Sequence, residues 1–213
     1  MPRGRNISRV GHYVHVSDSI PPLDCEVVAG LPCMSPTRTL LQIASTVTLE
    51  RLTTALDGAL RDRLTTEDFL HRRVCQLPAS GRNGIIPMLR ALEGSQITRD
   101  GQSWLEREFL RVIAPLGLPR PTTQAVLARR RDGLIRVDFR FDGTPLVVET
   151  LGYRWHRTTA QMNIDAERLN RLILDGYVPI QFTYQQVVGD PEWVKATLLE
   201  AAERCGITPT LRA

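Results

Sequence analysis

Apolar positions change their spacing along the chain, and each change predicts a different kind of element. Through about the first ninety residues the spacing is helical. Leu52, Ala55, Leu56 and Leu60 recur at one-turn intervals within Leu49 to Arg61, and Ser35-Pro36 supplies an N-cap and a first-turn proline for a helix over 37–44. Thr66 caps another helix to about Leu77, and a shorter one is predicted from Arg82 to Leu92, with Pro87 near its start. Two short strands, Tyr13 to Val16 and Cys25 to Val28, precede these helices, separated by the breaker Ile20-Pro21-Pro22. Gly94 to Gly101 carries turn residues without periodicity, which divides the chain into a region 1–95 and a region 100–213.

Beyond this boundary the pattern alternates between helical and strand spacing. Leu105, Phe109, Val112, Ile113 and Leu116 form one stripe of a helix over 103–116, and strands follow at 124–130, 134–141 and 145–151. A helix from Thr159 to Asp175 is closed by Gly176. The strand 177–183 contains Pro179, which argues for an edge or a bulge, and Asp190-Pro191 opens a last helix that Gly206 ends. The order αβββαβα predicts a compact α/β sheet domain preceded by a small, mainly helical N-terminal region.

The turn between the second and third of these strands carries the chemistry. Asp142-Gly143 between two alternating runs predicts a two-residue type I′ hairpin that pairs Phe141 with Thr144. Val137 then faces Val148, Asp138 faces Val147, and Asp138 and Glu149 become diagonal neighbours on one face, roughly 7–8 Å apart. Two carboxylates so placed can hold one hard divalent cation. The ordinary alternative is a pair of solvated acids on a wet hairpin face. Against that, Pro145 to Leu151 is almost continuously apolar, as in a strand covered on both sides. A carboxylate there requires a cation, a proton or several donors. A third loop residue would slip the register and move Glu149 to the other face.

Composition narrows the field. The 213 residues are 42% hydrophobic and 23% charged, which predicts a globular protein, and the net charge of +4 permits an anionic partner without requiring one. Lys195 is the only lysine, so an active-site lysine is nearly excluded. Cys25, Cys33, Cys75 and Cys205 show no Cys-x-x-Cys spacing, which argues against structural zinc and a disulfide framework. With no leader-like segment and no membrane-length apolar run, the expectation is a soluble cytoplasmic protein without a membrane partner.

Several further residues have two readings. Glu106 lies on the margin of the helix stripe and could reach the sheet, yet Ser103-Trp104-Leu105-Glu106 is also a capping box. His156 beside Trp155 is equally a packed loop histidine. Asp165 and Arg168 stand three apart on a helix, the spacing of a surface ion pair. Arg129-Arg130-Arg131 ends a strand as solvated charge, or joins Arg136, Arg140 and Arg157 in neutralising phosphates.

Taken together, Ser103-x-Leu-Glu106, Gly117-Leu-Pro-x-Pro121, Arg136-Val-Asp138-Phe, Leu146-Val-Val-Glu149, Gly152, His156, Asp165-x-x-Arg168, Leu172, Gly176 and Phe182-Thr183 resemble a known family. It is the nuclease-like domain related to very-short-patch-repair endonucleases, in the PD-(D/E)XK superfamily. The resemblance covers roughly residues 100–205. Residues 30–44 also resemble part of the AbiEi-type antitoxin-like region that often precedes this domain. Its relatives usually start with a winged helix that this chain does not display.

The resemblance implies a restriction-endonuclease-like core with Asp138 and Glu149 as ligands of Mg²⁺ and Glu106 as an accessory acid. It also implies that His156 orients water or phosphate and that Arg168 steadies a carboxylate. Arg136, Arg140, Arg157 and Arg168 would then contact DNA. The implied activity is metal-dependent hydrolysis of DNA. The alternative is an inactive DNA-binding or antitoxin-like regulator, with a toxin or regulatory protein as a possible partner. Two departures matter. Leu151 stands where the family has an acid, or a lysine in the wider superfamily, and Gln181 stands where an arginine is usual.

Overall fold

A computed structural model describes residues 10–11, 20–77, 84–96, 103–130, 133–152 and 159–210. The strand expected at Tyr13 to Val16, His156 and Arg157 lie outside the described residues. The chain forms two compact units, Met1–Leu70 with Ala79–Ala91 and His71–Pro78 with Leu92–Ala213. It is a mixed α/β protein. No helix among the described residues is long and apolar enough to cross a membrane.

In the first unit, β1 (Cys25–Val28) pairs antiparallel with β2 (Leu31–Met34), a strand that Pro32 concealed in the sequence. Three helices, α1 (Pro36–Ile43), α2 (Leu49–Arg61) and the start of α3 (Glu67–Gln76), begin where the sequence predicts. Ser35, Thr48 and Thr66 each accept a bond from a backbone N–H three residues on, satisfying first-turn donors that the helix leaves unpaired. A buried ion pair, Arg38 to Asp24 at 3.2 Å, ties α1 to the turn before β1. The helix α4 (Ile85–Gln96) runs through Gly94-Ser95-Gln96, so turn-forming composition is overridden there by helix propagation.

The second unit is built on a four-stranded sheet of order β3-β4-β5-β6, formed by β3 (Thr122–Arg130), β4 (Gly133–Arg140), β5 (Leu146–Leu151) and β6 (Val178–Thr183). The first two pairings are antiparallel and β5 with β6 is parallel. Preceding the sheet is α5 (Trp104–Ile113), and α6 (Thr159–Leu174) makes the crossover that a parallel pair requires. Two helices follow β6, namely α7 (Tyr184–Gly189), which the sequence reading missed, and α8 (Pro191–Arg204). Thr183 opens α7 with a capping box through Gln186, a signal hidden by its position at a strand end.

Both faces of the sheet are covered, which explains the near-continuous apolar run of β5. On one side Phe109 packs against Phe139 and Phe182, with ring centroids 4.7 and 5.6 Å away, all three fully buried. Val147, which points the opposite way from its equally buried neighbour Val148, lies in a second buried cluster with Val137, Ala125 and Leu172 of α6. Strand β6 is an edge, as Pro179 requires, and the Val178 N–H turns inward to the Pro145 carbonyl at 2.9 Å.

The β4–β5 turn differs from the expected one. The Phe141 carbonyl accepts the Thr144 N–H at 3.2 Å, as the tight turn would have it. The Phe141 N–H, however, goes to the Leu146 carbonyl at 3.1 Å instead of back to Thr144, and the Thr144 hydroxyl fills the gap. That hydroxyl donates to the Phe141 carbonyl at 2.8 Å and accepts the Leu146 N–H at 3.2 Å. A threonine that satisfies the turn locally competes with the tighter hairpin. The resulting loop spans four residues, 142–145, and the ladder reads Phe139 to Val148 and Arg140 to Val147. The shift of two residues preserves every face.

Candidate functional site

The β4–β5 ladder ends at Phe139 with Val148, and its next step would set Glu149 across from Asp138 rather than diagonal to it. The strands part at this point. Thr150, whose N–H would carry on the ladder, donates it to Asp138 Oδ2 at 2.8 Å, and its hydroxyl donates to the same oxygen at 2.9 Å. Two donors on Oδ2 hold the Asp138 carboxylate in one orientation, and neither engages Oδ1.

Glu149 is only 5% exposed. The parallel register sets it beside Gln181, whose amide donates to Oε2 at 3.1 Å. Arg168, from α6, brings Nη2 against Oε1 as an ion pair, without the alignment of a hydrogen bond. The same guanidinium donates to the Arg136 carbonyl, so it is anchored on β4 as well. Burial raises the pKa of Glu149 above the ordinary carboxylate value. The Arg168 charge and the Gln181 bond oppose that rise, and the neighbouring Asp138 and Asp165 charges add to it.

These groups line one cavity of about 160 Å³, together with Thr150, Leu151, Gly152 and Asp165. An ordered water needs only about 10–15 Å³ on the same measure, so Leu151 does not close the space to a hydrated ion. Three carboxyl groups face a single guanidinium, a formal charge of −2 when all are ionised. Oxygen donors of this kind suit a hard divalent cation that keeps several waters. Among the described residues, no group of three or more His, Cys, Asp or Glu side chains is arranged to hold a metal. The fit is therefore to a sparse site of two carboxylates and water, not to a full protein cage.

Other expected site residues lie elsewhere. Glu106 is buried but does not border this cavity. Its Oε1 accepts from the Ser103 hydroxyl at 3.1 Å and its Oε2 from the Gln124 amide at 2.7 Å. The capping interaction thus runs through the serine hydroxyl, and the second oxygen reaches β3. The residues flanking Gln124 pair with Phe139 and Val137, which sets Gln124 across from Asp138. Its φ of +51° lies in the left-handed region, where strain often accompanies a functional site. Arg140 sits by the hairpin, its Nε 3.9 Å from Asp142, and Arg136 is exposed on β4. Sequence reasoning missed Thr150 as a clamp on Asp138 and Gln181 as a donor to Glu149, and it read Asp165 as surface charge. The helical spacing of Asp165 and Arg168 and the family motif that contains them were the signals available for these two residues of α6.

No family model matches the chain, and no solved structure gives a significant match. Two uncharacterized proteins of Mycobacterium tuberculosis, one from strain CDC 1551 / Oshkosh and one from strain ATCC 25618 / H37Rv, are each 26% identical to it over 179 residues. The match covers 83% of this chain and 64% of each relative, so the chain spans under two thirds of their length.

Proposed function

We propose that the chain is a metal-dependent DNA endonuclease with a restriction-endonuclease-like core, using Mg²⁺ between Asp138 and Glu149. One observation carries this reading: both acids line the same polar cavity, each oriented by a dedicated donor, Thr150 for Asp138 and Gln181 for Glu149. A bound Mg²⁺ would supply Lewis acidity toward a phosphate oxygen and acidify a bound water. The chain's own residues would fix the acids, and Asp165 would take part in proton transfer from within the same cavity. Arg168 at the cavity and the exposed Arg136, whose carbonyl it bonds, would meet the phosphate backbone, a contact that weakens with salt.

A second reading is favoured by Leu151, which borders the cavity on the same strand face as Glu149 and brings neither charge nor proton. In that reading the protein is a catalytically inactive DNA-binding or antitoxin-like regulator, with a toxin or regulatory protein as partner. The test is nicking of supercoiled plasmid in Mg²⁺ or Mn²⁺ by wild type and Asp138→Asn, beside DNA retention in EDTA. Metal-dependent nicking lost in the variant supports the nuclease. Retention without nicking supports the regulator, and the absence of both overturns each of them.

A further inference from the structure

Resting on the metal reading above, we propose that Arg168 is the resident counter-cation of Glu149 and that a divalent ion loads the cavity by displacing it. Arg168 is then a specificity-determining residue that sets which cations bind and how tightly.

The two oxygens of Glu149 have different neighbours. Oε2 is held by an uncharged amide on the adjacent strand, while Oε1 faces the guanidinium. Oε1 is the oxygen whose partner is a charge that an ion can replace, while Oε2 keeps its neutral amide partner on β6. Its contact with Arg168 is an ion pair without hydrogen-bond alignment, so it rests on charge more than on direction. The arginine also has somewhere to go. Its side chain is 46% exposed, against 7% for Glu149, so the displaced guanidinium can swing toward water from its anchor on the Arg136 carbonyl while the acid stays buried.

Charge decides which ions succeed. A monovalent ion would replace one unit positive charge by another and lose the tether that keeps the guanidinium local. A divalent ion doubles the attraction to the Asp138 and Glu149 carboxylates, which is what a competitor for a paired acid requires. Among the described residues no other cationic side chain borders the cavity, because β5 carries Leu151 where it could have carried one. The α6 residue Asp165, one turn before Arg168, adds negative charge to the space that the guanidinium leaves.

The experiment is isothermal titration of Mn²⁺ into the full chain, as wild type, Arg168→Gln and Arg168→Lys. Removing the competing charge should tighten Mn²⁺ binding by about tenfold in Arg168→Gln, and Arg168→Lys, which keeps the charge, should stay near wild type. On the wild-type protein, Mg²⁺ should also shift the Arg168 Nε–Hε NMR signal, identified by its loss in Arg168→Lys. That readout stands even where Arg168→Gln fails to fold. Wild-type binding with equal or weaker binding by Arg168→Gln, or saturation by Mg²⁺ with an unmoved Arg168 signal, overturns the displacement and leaves the metal reading intact. No Mn²⁺ binding by any of the three proteins at millimolar concentration overturns both.

Discussion

Glu149→Gln should make the metal-free protein more stable at neutral pH. The wild-type carboxylate is almost fully buried, and its compensation is one amide and one half-exposed guanidinium. Burial outweighs both, since the net effect on its pKa is upward. Glutamine keeps the shape and removes the charge, and Arg168 is exposed enough to solvate when its partner is gone. Removing one partner of a buried ion pair ordinarily costs stability because the other charge is left buried, but Arg168 is half-exposed and solvates, so relief of the buried carboxylate leaves a gain of about 1 kcal/mol. For a chain of this size that corresponds to a rise in Tm of about 2–4 °C. The pH dependence has a definite sign. A raised folded-state pKa means that the native protein holds the proton more tightly than the unfolded chain does. Wild type therefore loses stability as pH climbs from the ordinary carboxyl range, about 4.3, through the raised folded value. The glutamine variant has nothing to titrate at this position. The difference in Tm, measured by calorimetry in EDTA, should be largest at pH 7 and vanish toward pH 4. A variant that melts lower than wild type at pH 7, or a difference that ignores pH, would falsify the claim that burial of this charge is a net cost.

Three further outcomes follow from other contacts. Thr150→Val keeps the backbone donor to Asp138 but deletes the hydroxyl, and should cost about 1 kcal/mol in urea unfolding, with Mn²⁺ affinity falling a few-fold. Full retention of both would show that the hydroxyl does not orient the acid. Phe109→Ala removes the ring that meets Phe139 and Phe182 and should cost about 3–5 kcal/mol, read from the denaturation midpoint of the second unit; a loss under about 1 kcal/mol would contradict that core. Cys75, its pKa pushed up to about 11 by burial, should react with a thiol reagent at pH 8 far more slowly than the exposed Cys25 and Cys33, as peptide mapping of the labelled protein would reveal.

Much of the fold was legible where local signals act alone. Ser35, Thr66 and Ser103 mark helix starts because a capping side chain bonds only to its own next turn. The acids at 138 and 149 were legible as a pair because side-chain alternation survives an even shift of register. What the sequence hid depends on contacts between distant elements. Gln181 reads as the loss of an arginine until the parallel ladder brings it beside Glu149. Arg168 and Asp165 satisfy a surface-pair spacing equally well whether α6 faces water or a cavity, and only the crossover settles it. Thr144 set the loop length through two side-chain bonds that no count of turn formers anticipates.

Pro179 has a consequence beyond marking β6 as the sheet's margin. Because the Val178 N–H points toward β5, the next amide along the strand would point outward, and at that position there is no hydrogen to offer. A second chain laid alongside β6 meets a gap in the row of donors at its second residue. Continuation of the sheet from one molecule into another is discouraged on this side, so fibrous association through β6 is opposed by a single ring in the backbone.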